Sequence, residues 1–383
     1  MKTYLCQICE KDELKPIEEF SRLPRITSDC RPFFSGGMLT VCMFCGGVQK
    51  ITDNQWLKEI EQIYADYNAY RITNGEEQFV VDPVSGKPQK RSYVFLKQLQ
   101  NNFQFAQETK VLDFGCGDGV TLKAISDLFA TWKLYGYELD EKKIKQLMLI
   151  PQFKKLLTGS LKKIEERFDL VTMIHSLEHC VNPLLTLQQL HQKITLNGSL
   201  FVQICNIDEN PFDVLIADHL MHFSPVSLKN LVERCGFQCE SIQTMWIKKE
   251  ISLLAKVGTQ SVNFKNADPI RIYAKIKSYV TWLNQLREHS QIIADRANSF
   301  GIFGTSIAST WLANELSHKV RFFVDEDPNR IGQNYMNKPI VSPRDVPRDS
   351  TVYLALAPSL ATSISERLQS TNWNFKKAPE LRI

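Results

Sequence analysis

No stretch of this 383-residue chain stays apolar for the roughly twenty residues that a membrane-crossing helix needs. The opening residues, MKTYLCQICEKDE, lack the apolar core of an export signal, so a cytosolic protein is expected. Neither sign of charge is in large excess: 46 lysines and arginines face 42 acids, for a net charge of +4. That leaves little with which to hold a nucleic acid or an anionic membrane. Low-complexity tracts and solenoid-type repeats are missing too, so the chain reads as an ordinary globular protein, long enough for two or three domains. Histidine is scarce, with seven in all and no HExxH metal motif, yet five of the seven (His175, His179, His191, His219 and His222) fall within one segment.

What is present alternates. From residue 109 to about 258, short apolar runs that read as strands (KVLDF, KLYGYEL, FDLVTMIHSL, GSLFVQIC) are separated by amphipathic helical segments such as TLKAISDLFATW and LLTLQQLHQKI. This predicts an α/β domain built on a doubly wound, mostly parallel sheet. CESIQTMWI and EISLLAKV are expected to close it as late strands, one of them antiparallel. Residues 269–299 predict one long helix, and a second α/β alternation follows it. Three units result: 1–62, 63–258 with a helical lead-in interrupted by the turn DPVSGKPQKR, and 259–383.

Two motifs carry chemistry. In VLDFGCGDGVTLKAI a strand ends at Asp113, and Gly115, Gly117 and Gly119 precede a helix. Glycines let the backbone turn sharply and approach a ligand, with helix N–H groups aimed at it. By spacing alone the loop fits a dinucleotide. The acid at the strand's end, and Glu138 at the end of the next strand, where a carboxylate would bond a ribose diol, instead resemble the S-adenosylmethionine (SAM)-dependent methyltransferases. Asp113, Gly115, Gly117 and Glu138 are therefore the SAM-binding candidates, with His175, directly after the fourth strand, either beside them or in the core. Separately, Cys6-x-x-Cys9 and Cys42-x-x-Cys45, 32 residues apart, offer four thiolates to a structural Zn²⁺. Cys30, between the pairs, is expected to be a plain thiol.

CQIC, VCMFCGGVQ, the glycine loop, HSLEHCVNP, DHLMHFSPVSL and VDEDPNRIGQ follow one another in an order that resembles the sugar C-methyltransferase family over essentially the whole chain. The resemblance implies a zinc-binding N-terminal domain, a SAM-dependent middle domain and a Rossmann-like C-terminal domain, acting on a nucleotide-linked keto-deoxysugar. It also implies that FGIFGTSIAST helps to hold the nucleotide end. In that family a fourth-strand histidine and an E-H pair in a later loop are thought to share proton transfer. The matching residues are His179 and Asp218-His219, with His222 where a tyrosine usually stands; Tyr64, Tyr67 and Tyr70 are candidates to line the cleft. Methylating carbon requires an enolate, hence a base of near-neutral pKa and donors for the enolate oxygen, which histidine supplies. His191, on a helix, is expected to be solvated. Competing readings are an O-methyltransferase of a sugar or glycan using the same histidines, and an RNA-modifying enzyme, the latter opposed by the acid-rich segment CQICEKDELKPIEEF.

Overall fold

The computed structural model describes residues 4–68, 77–81, 87–259, 264, 267–368 and 374–382. Its centre is a seven-stranded sheet in the order Phe153–Thr158, Lys133–Glu138, Lys110–Phe114, Phe168–Ile174, Ile194–Cys205, Glu250–Val257, Phe237–Gln243. The first five strands are parallel; Glu250–Val257 runs antiparallel to both of its neighbours. The late strands are thus where sequence places them, although Met245 and Trp246 lie beyond the strand's end. Chain order reverses beside Lys110–Phe114, which opens a crevice at the carboxyl ends of the strands, the usual ligand position in such sheets. The strands that line it are buried on both faces, as parallel strands covered by helices must be: Val111, Leu112, Leu170, Val171 and Met173 are fully buried.

Helix starts follow their capping residues. Asp53 caps Asn54–Ala65 by accepting from the Trp56 N–H at 2.7 Å, Asn182 caps Pro183–His191, and Ser224 with Ser227 closes a reciprocal box ahead of Pro225–Arg234. Asp268 caps Pro269–Arg296, a 28-residue helix about 42 Å long. The lead-in departs from the helical expectation. Phe79–Val81 and Pro88–Lys90 pair as an antiparallel ribbon before the helix Arg91–Asn102 begins. Tyr70 lies outside the described residues.

A second sheet has the order Asn334–Tyr335, Lys338–Val341, Val320–Val324, Phe300–Phe303, Thr351–Leu354, Asn374–Lys377, parallel except at its first pair. The N-terminal segment makes a small antiparallel sheet of Leu14–Pro16, Leu39–Cys42 and Val48–Lys50, completed by Met221–His222 from the central unit. Its apolar face (Ile17, Phe20, Leu39, Val41) shares one core with Tyr279 and Leu283 of the long helix and Trp311 of the last unit. The helix Asn54–Ala65 runs across the border expected at residue 62. No helix among the described residues is long and apolar enough to cross a membrane.

Candidate functional site

The glycine loop joins Lys110–Phe114 to the helix Val120–Leu128 with Gly115, Gly117 and Gly119 all at positive φ (78°, 50° and 79°), a region L side chains rarely adopt. A Cβ on Gly115 would strike Ser176 Cβ at 2.7 Å, whereas one on Gly117 would meet nothing within 4 Å. The loop therefore packs tightly on one side and faces open space on the other. Glu138, from the neighbouring strand, accepts from the Gly117 N–H at 2.7 Å, and Asp113 accepts from the Thr172 hydroxyl at 2.6 Å. Burial, reinforced by Glu138, raises the Asp113 carboxyl to about 7 despite the Thr172 bond. A backbone cradle flanked by two acids suits a cationic, diol-bearing ligand such as SAM.

At the same sheet edge His175 sits after its strand with φ 48°. Its Nδ1 lies 3.2 Å from Glu178 and its Nε2 3.3 Å from Glu250. Burial and Arg91 oppose its protonation, but Glu250 and Glu178 overcome them and raise its pKa well above the ordinary histidine value. Glu250, between Arg91 and His175, titrates at about 2 even though burial opposes its ionisation.

Two loops meet beyond it, tied by the Leu220 N–H donating to the Glu178 carbonyl at 2.8 Å. The rings of His179 and His219 stand edge to face with centroids 4.6 Å apart. The acids that serve them are not the ones adjacency in sequence suggests. Asp218 lies against His179, with Oδ2 3.3 Å from Nδ1, and not against His219. The reason is that the Ser28 N–H (2.8 Å) and hydroxyl (2.5 Å) hold its carboxylate from the other side. His219 is served by Asp213, which accepts from His219 Nδ1 at 3.0 Å and from His222 Nδ1 at 2.7 Å. Burial works against both carboxylates, yet the imidazoles hold Asp213 and Asp218 far below the ordinary range.

Depth orders the three rings: side-chain exposure falls from 14 % at His179 to 4 % at His219 and nothing at His222. His222, expected to orient substrate at the cleft, is instead the innermost member. Its Nε2 lies 3.3 Å from Lys50 Nζ, and burial together with that ammonium lowers it to about 4. A metal ion at Asp213, His219 and His222 would have to sit beside Lys50, which makes this cluster a poor cation site. The Tyr64 ring is 6.3 Å from the ring of His179, and the Tyr67 hydroxyl is 3.1 Å from Ser28 Oγ, so both tyrosines reach the cleft. His191, expected in solvent, packs edge-on to Phe237, and its Nε2 bonds the Gly236 carbonyl at 2.8 Å because the helix lies against that turn.

Asp213 and Lys50 were not singled out by sequence reasoning. Asp213 is a lone charge in an apolar run, PFDVLI, and that oddity was its available signal; the polar surroundings of Lys50, VQKITD, offered none.

The four N-terminal thiols converge. Cys6 and Cys45 Sγ are 3.5 Å apart, as are Cys9 and Cys42, and all four lie within 4.8 Å of one another. Disulfide sulfurs would be bonded at ~2 Å, whereas a Zn²⁺ tetrahedron with ~2.3 Å bonds spaces its sulfurs by about 3.8 Å. The cluster is therefore compatible with zinc. Cys30 is a free, half-buried thiol outside it. In the last unit Gly304 (φ 88°) turns Phe300–Phe303 into the helix Ile307–Leu316. There Thr305 donates to Asp325 at 2.7 Å, and Arg330 reaches Thr305 at 2.9 Å.

Residues 89–242 match the family model of a methyltransferase domain. A stretch of 132 residues is 29% identical to the mitochondrial ubiquinone biosynthesis O-methyltransferase of Candida albicans, covering 32% of this chain. The chain spans 40% of that relative's length. Among solved structures, human N-acetylserotonin methyltransferase in complex with SAM is 17% identical, covering 44% of this chain and 51% of its own, at a TM-score of 0.37. A SAM-dependent methyltransferase from Aquifex aeolicus is 16% identical, covering 52% of this chain and 98% of its own, at a TM-score of 0.38. The central α/β unit thus carries a methyltransferase domain over residues 89–242.

Proposed function

We propose that the whole chain transfers a methyl group from SAM to a carbon beside the ketone of a nucleotide-linked sugar. The observation that carries this reading is the pair of imidazoles at the sheet edge, each with its own buried carboxylate. The open side of the glycine loop at Gly117, with Asp113 and Glu138, would hold SAM, which when bound supplies an electrophilic sulfonium methyl. Cys6, Cys9, Cys42 and Cys45 would hold a structural zinc that stiffens the N-terminal segment.

His179 faces the cleft and is placed to take a proton from the carbon next to the ketone. Asp218 orients it and stabilises the imidazolium that forms. His219, behind it, keeps a second basic nitrogen in reach, and the proton or an N–H donor can be offered to the enolate oxygen from this pair. Tyr64 and Tyr67 shape the cleft wall. The Gly304 turn ahead of the helix Ile307–Leu316 is where the last unit would meet a phosphate, although Arg330 there is already paired with Asp325 and Asp327. The same base would equally activate a hydroxyl, so O-methylation of a sugar is the rival, and the O-methyltransferase match favours keeping it.

The two routes separate in heavy water. Incubated with demethylated cofactor and nucleotide keto-sugars in D₂O, a carbon methyltransferase exchanges the C–H beside the ketone, and His179→Asn suppresses the exchange. Methyl transfer with no exchange in the wild type would refute the carbon route.

A further inference from the structure

Lys50 is fully buried and contacts no carboxylate within ion-pair distance among the described residues. An ammonium has three N–H donors and no acceptor. Here the acceptors are the Ile216 carbonyl, the His219 carbonyl at 3.0 Å, and His222 Nε2 at 3.3 Å. Both carbonyls belong to the loop that carries Asp218 and His219, so the lysine clamps that loop to the Val48–Lys50 strand.

We infer that Lys50 is a positioning residue that clamps the loop of Asp218 and His219 and fixes the tautomer of His222 at the inner end of the buried relay. If its third N–H is given to His222 Nε2, that nitrogen is an acceptor and His222 is neutral with its proton on Nδ1. The Nδ1–H then donates to Asp213 Oδ2, and Asp213 Oδ1 receives the Nδ1–H of His219. His219 is thereby left with Nε2 as its basic nitrogen, in a ring that stands against His179. Reversing the first bond would aim an Nε2–H at the ammonium and leave Asp213 Oδ2 without its donor, while Asp213 Oδ1 still fixes the Nδ1–H of His219.

The surroundings fit. Lys50 is faced by Arg25, Asp213, Asp218, Glu59 and His222, and His222 by Lys50, Asp213 and His219. Burial, with Arg25, brings the lysine down to about 7, so it holds its proton loosely, next to a histidine that the same ammonium keeps neutral.

The inference rests on the methyl-transfer reading only for its kinetic consequence; the protonation pattern stands by itself. Nitrogen-15 spectra of histidine-labelled, zinc-loaded full-length protein test it without any variant. The expected result is a proton on Nδ1 and none on Nε2 of His222, persisting on acidification to about pH 5. A proton on His222 Nε2 at about pH 6, where the lysine is still an ammonium, would overturn the inference. In Lys50→Met, which keeps the length and removes the charge, His222 should take up a proton at least about one pH unit higher, because Asp213 remains and the ammonium is gone. Turnover should fall about tenfold or more with SAM affinity within threefold. A variant that is merely less stable, with His222 titrating as before, would show that Lys50 only fills space. Should the wild type turn over no substrate, the methyl-transfer reading fails, while the spectra still decide the role of Lys50.

Discussion

Asp213→Asn is the sharpest perturbation of the site, because it leaves the shape unchanged and alters only which atoms carry hydrogen. The carboxylate accepts from two imidazole Nδ1–H groups, at 3.0 Å from His219 and 2.7 Å from His222. An amide has one acceptor and one donor end, so one of those rings must lose its partner and turn its tautomer round. His222 cannot readily do so, because its Nε2 would then aim an N–H at the Lys50 ammonium 3.3 Å away. The amide nitrogen should therefore face His219, moving that proton to Nε2 and removing the second basic nitrogen behind His179. Placing a catalytic histidine in the wrong tautomer in this way costs up to about 10⁴ in kcat, and general acid–base catalysis as a whole contributes roughly 10²–10⁴. At about 1.36 kcal/mol per tenfold, that is roughly 3–5 kcal/mol of barrier. The assay is kcat under saturating SAM and acceptor, with SAM binding measured by calorimetry. SAM affinity should be unchanged, since Asp213 does not touch the glycine loop. A folded Asp213→Asn protein within threefold of wild-type kcat would refute the relay.

Three further outcomes are expected. Gly115→Val should abolish SAM binding, because a side chain there meets Ser176 Cβ at 2.7 Å from a backbone at φ 78°, while metal analysis still finds one zinc per chain; undiminished affinity would sink the cofactor assignment. Cys42→Ser should release that zinc and increase proteolysis of the N-terminal segment, because a lost thiolate opens the coordination shell; a zinc-free wild type of ordinary stability would contradict the metal reading. Glu250 ionises in the folded chain at about 2, below its unfolded value of ~4.3, so it adds stability that is fully present above that value and lost as pH falls from about 4 toward 2. Glu250→Gln should flatten that part of the acid-unfolding curve, and an unchanged slope would count against the His175–Glu250 contact.

Much of the central unit was legible because its signals are local. A strand ending at Asp113, three glycines and a helix opening form one continuous stretch, and parallel strands buried on both faces announce themselves as apolar runs. The CxxC pairs were legible for the same reason, since the donor chemistry is contained in each four-residue unit. The histidine relay was only half legible. Sequence adjacency joins Asp218 to His219, but a 3-10 turn over Pro211–Leu215 swings Asp213 beneath both His219 and His222, while Ser28, 190 positions away, draws Asp218 toward His179. Neither movement has a periodicity to read. Lys50 was hidden by the ordinary rule that lysines are solvated, and the pairing of Phe79–Val81 with Pro88–Lys90 by a helical lead-in that continued in pattern on both sides of a turn.

The three-part division in sequence does not describe how the site is held. Asp218 is fixed by Ser28 from the N-terminal segment, and the loop bearing it is clamped by Lys50 from the same segment. Cys30, two residues from Ser28, has its carbonyl bonded by the Tyr335 hydroxyl of the last unit, and Trp311 of that unit donates to the Pro24 carbonyl at 3.0 Å. The N-terminal segment is thus the back wall of the candidate cleft, pinned from both sides, and its strand Val48–Lys50 begins three residues after the final zinc-site cysteine. A segment this short cannot hold a wall still by its own core; cross-linking its two hairpin turns through one metal would do so. A metal at those four cysteines would serve the site without touching it: it would steady the strand that carries Lys50, and Lys50 bonds the Ile216 and His219 carbonyls of the loop that bears Asp218 and His219.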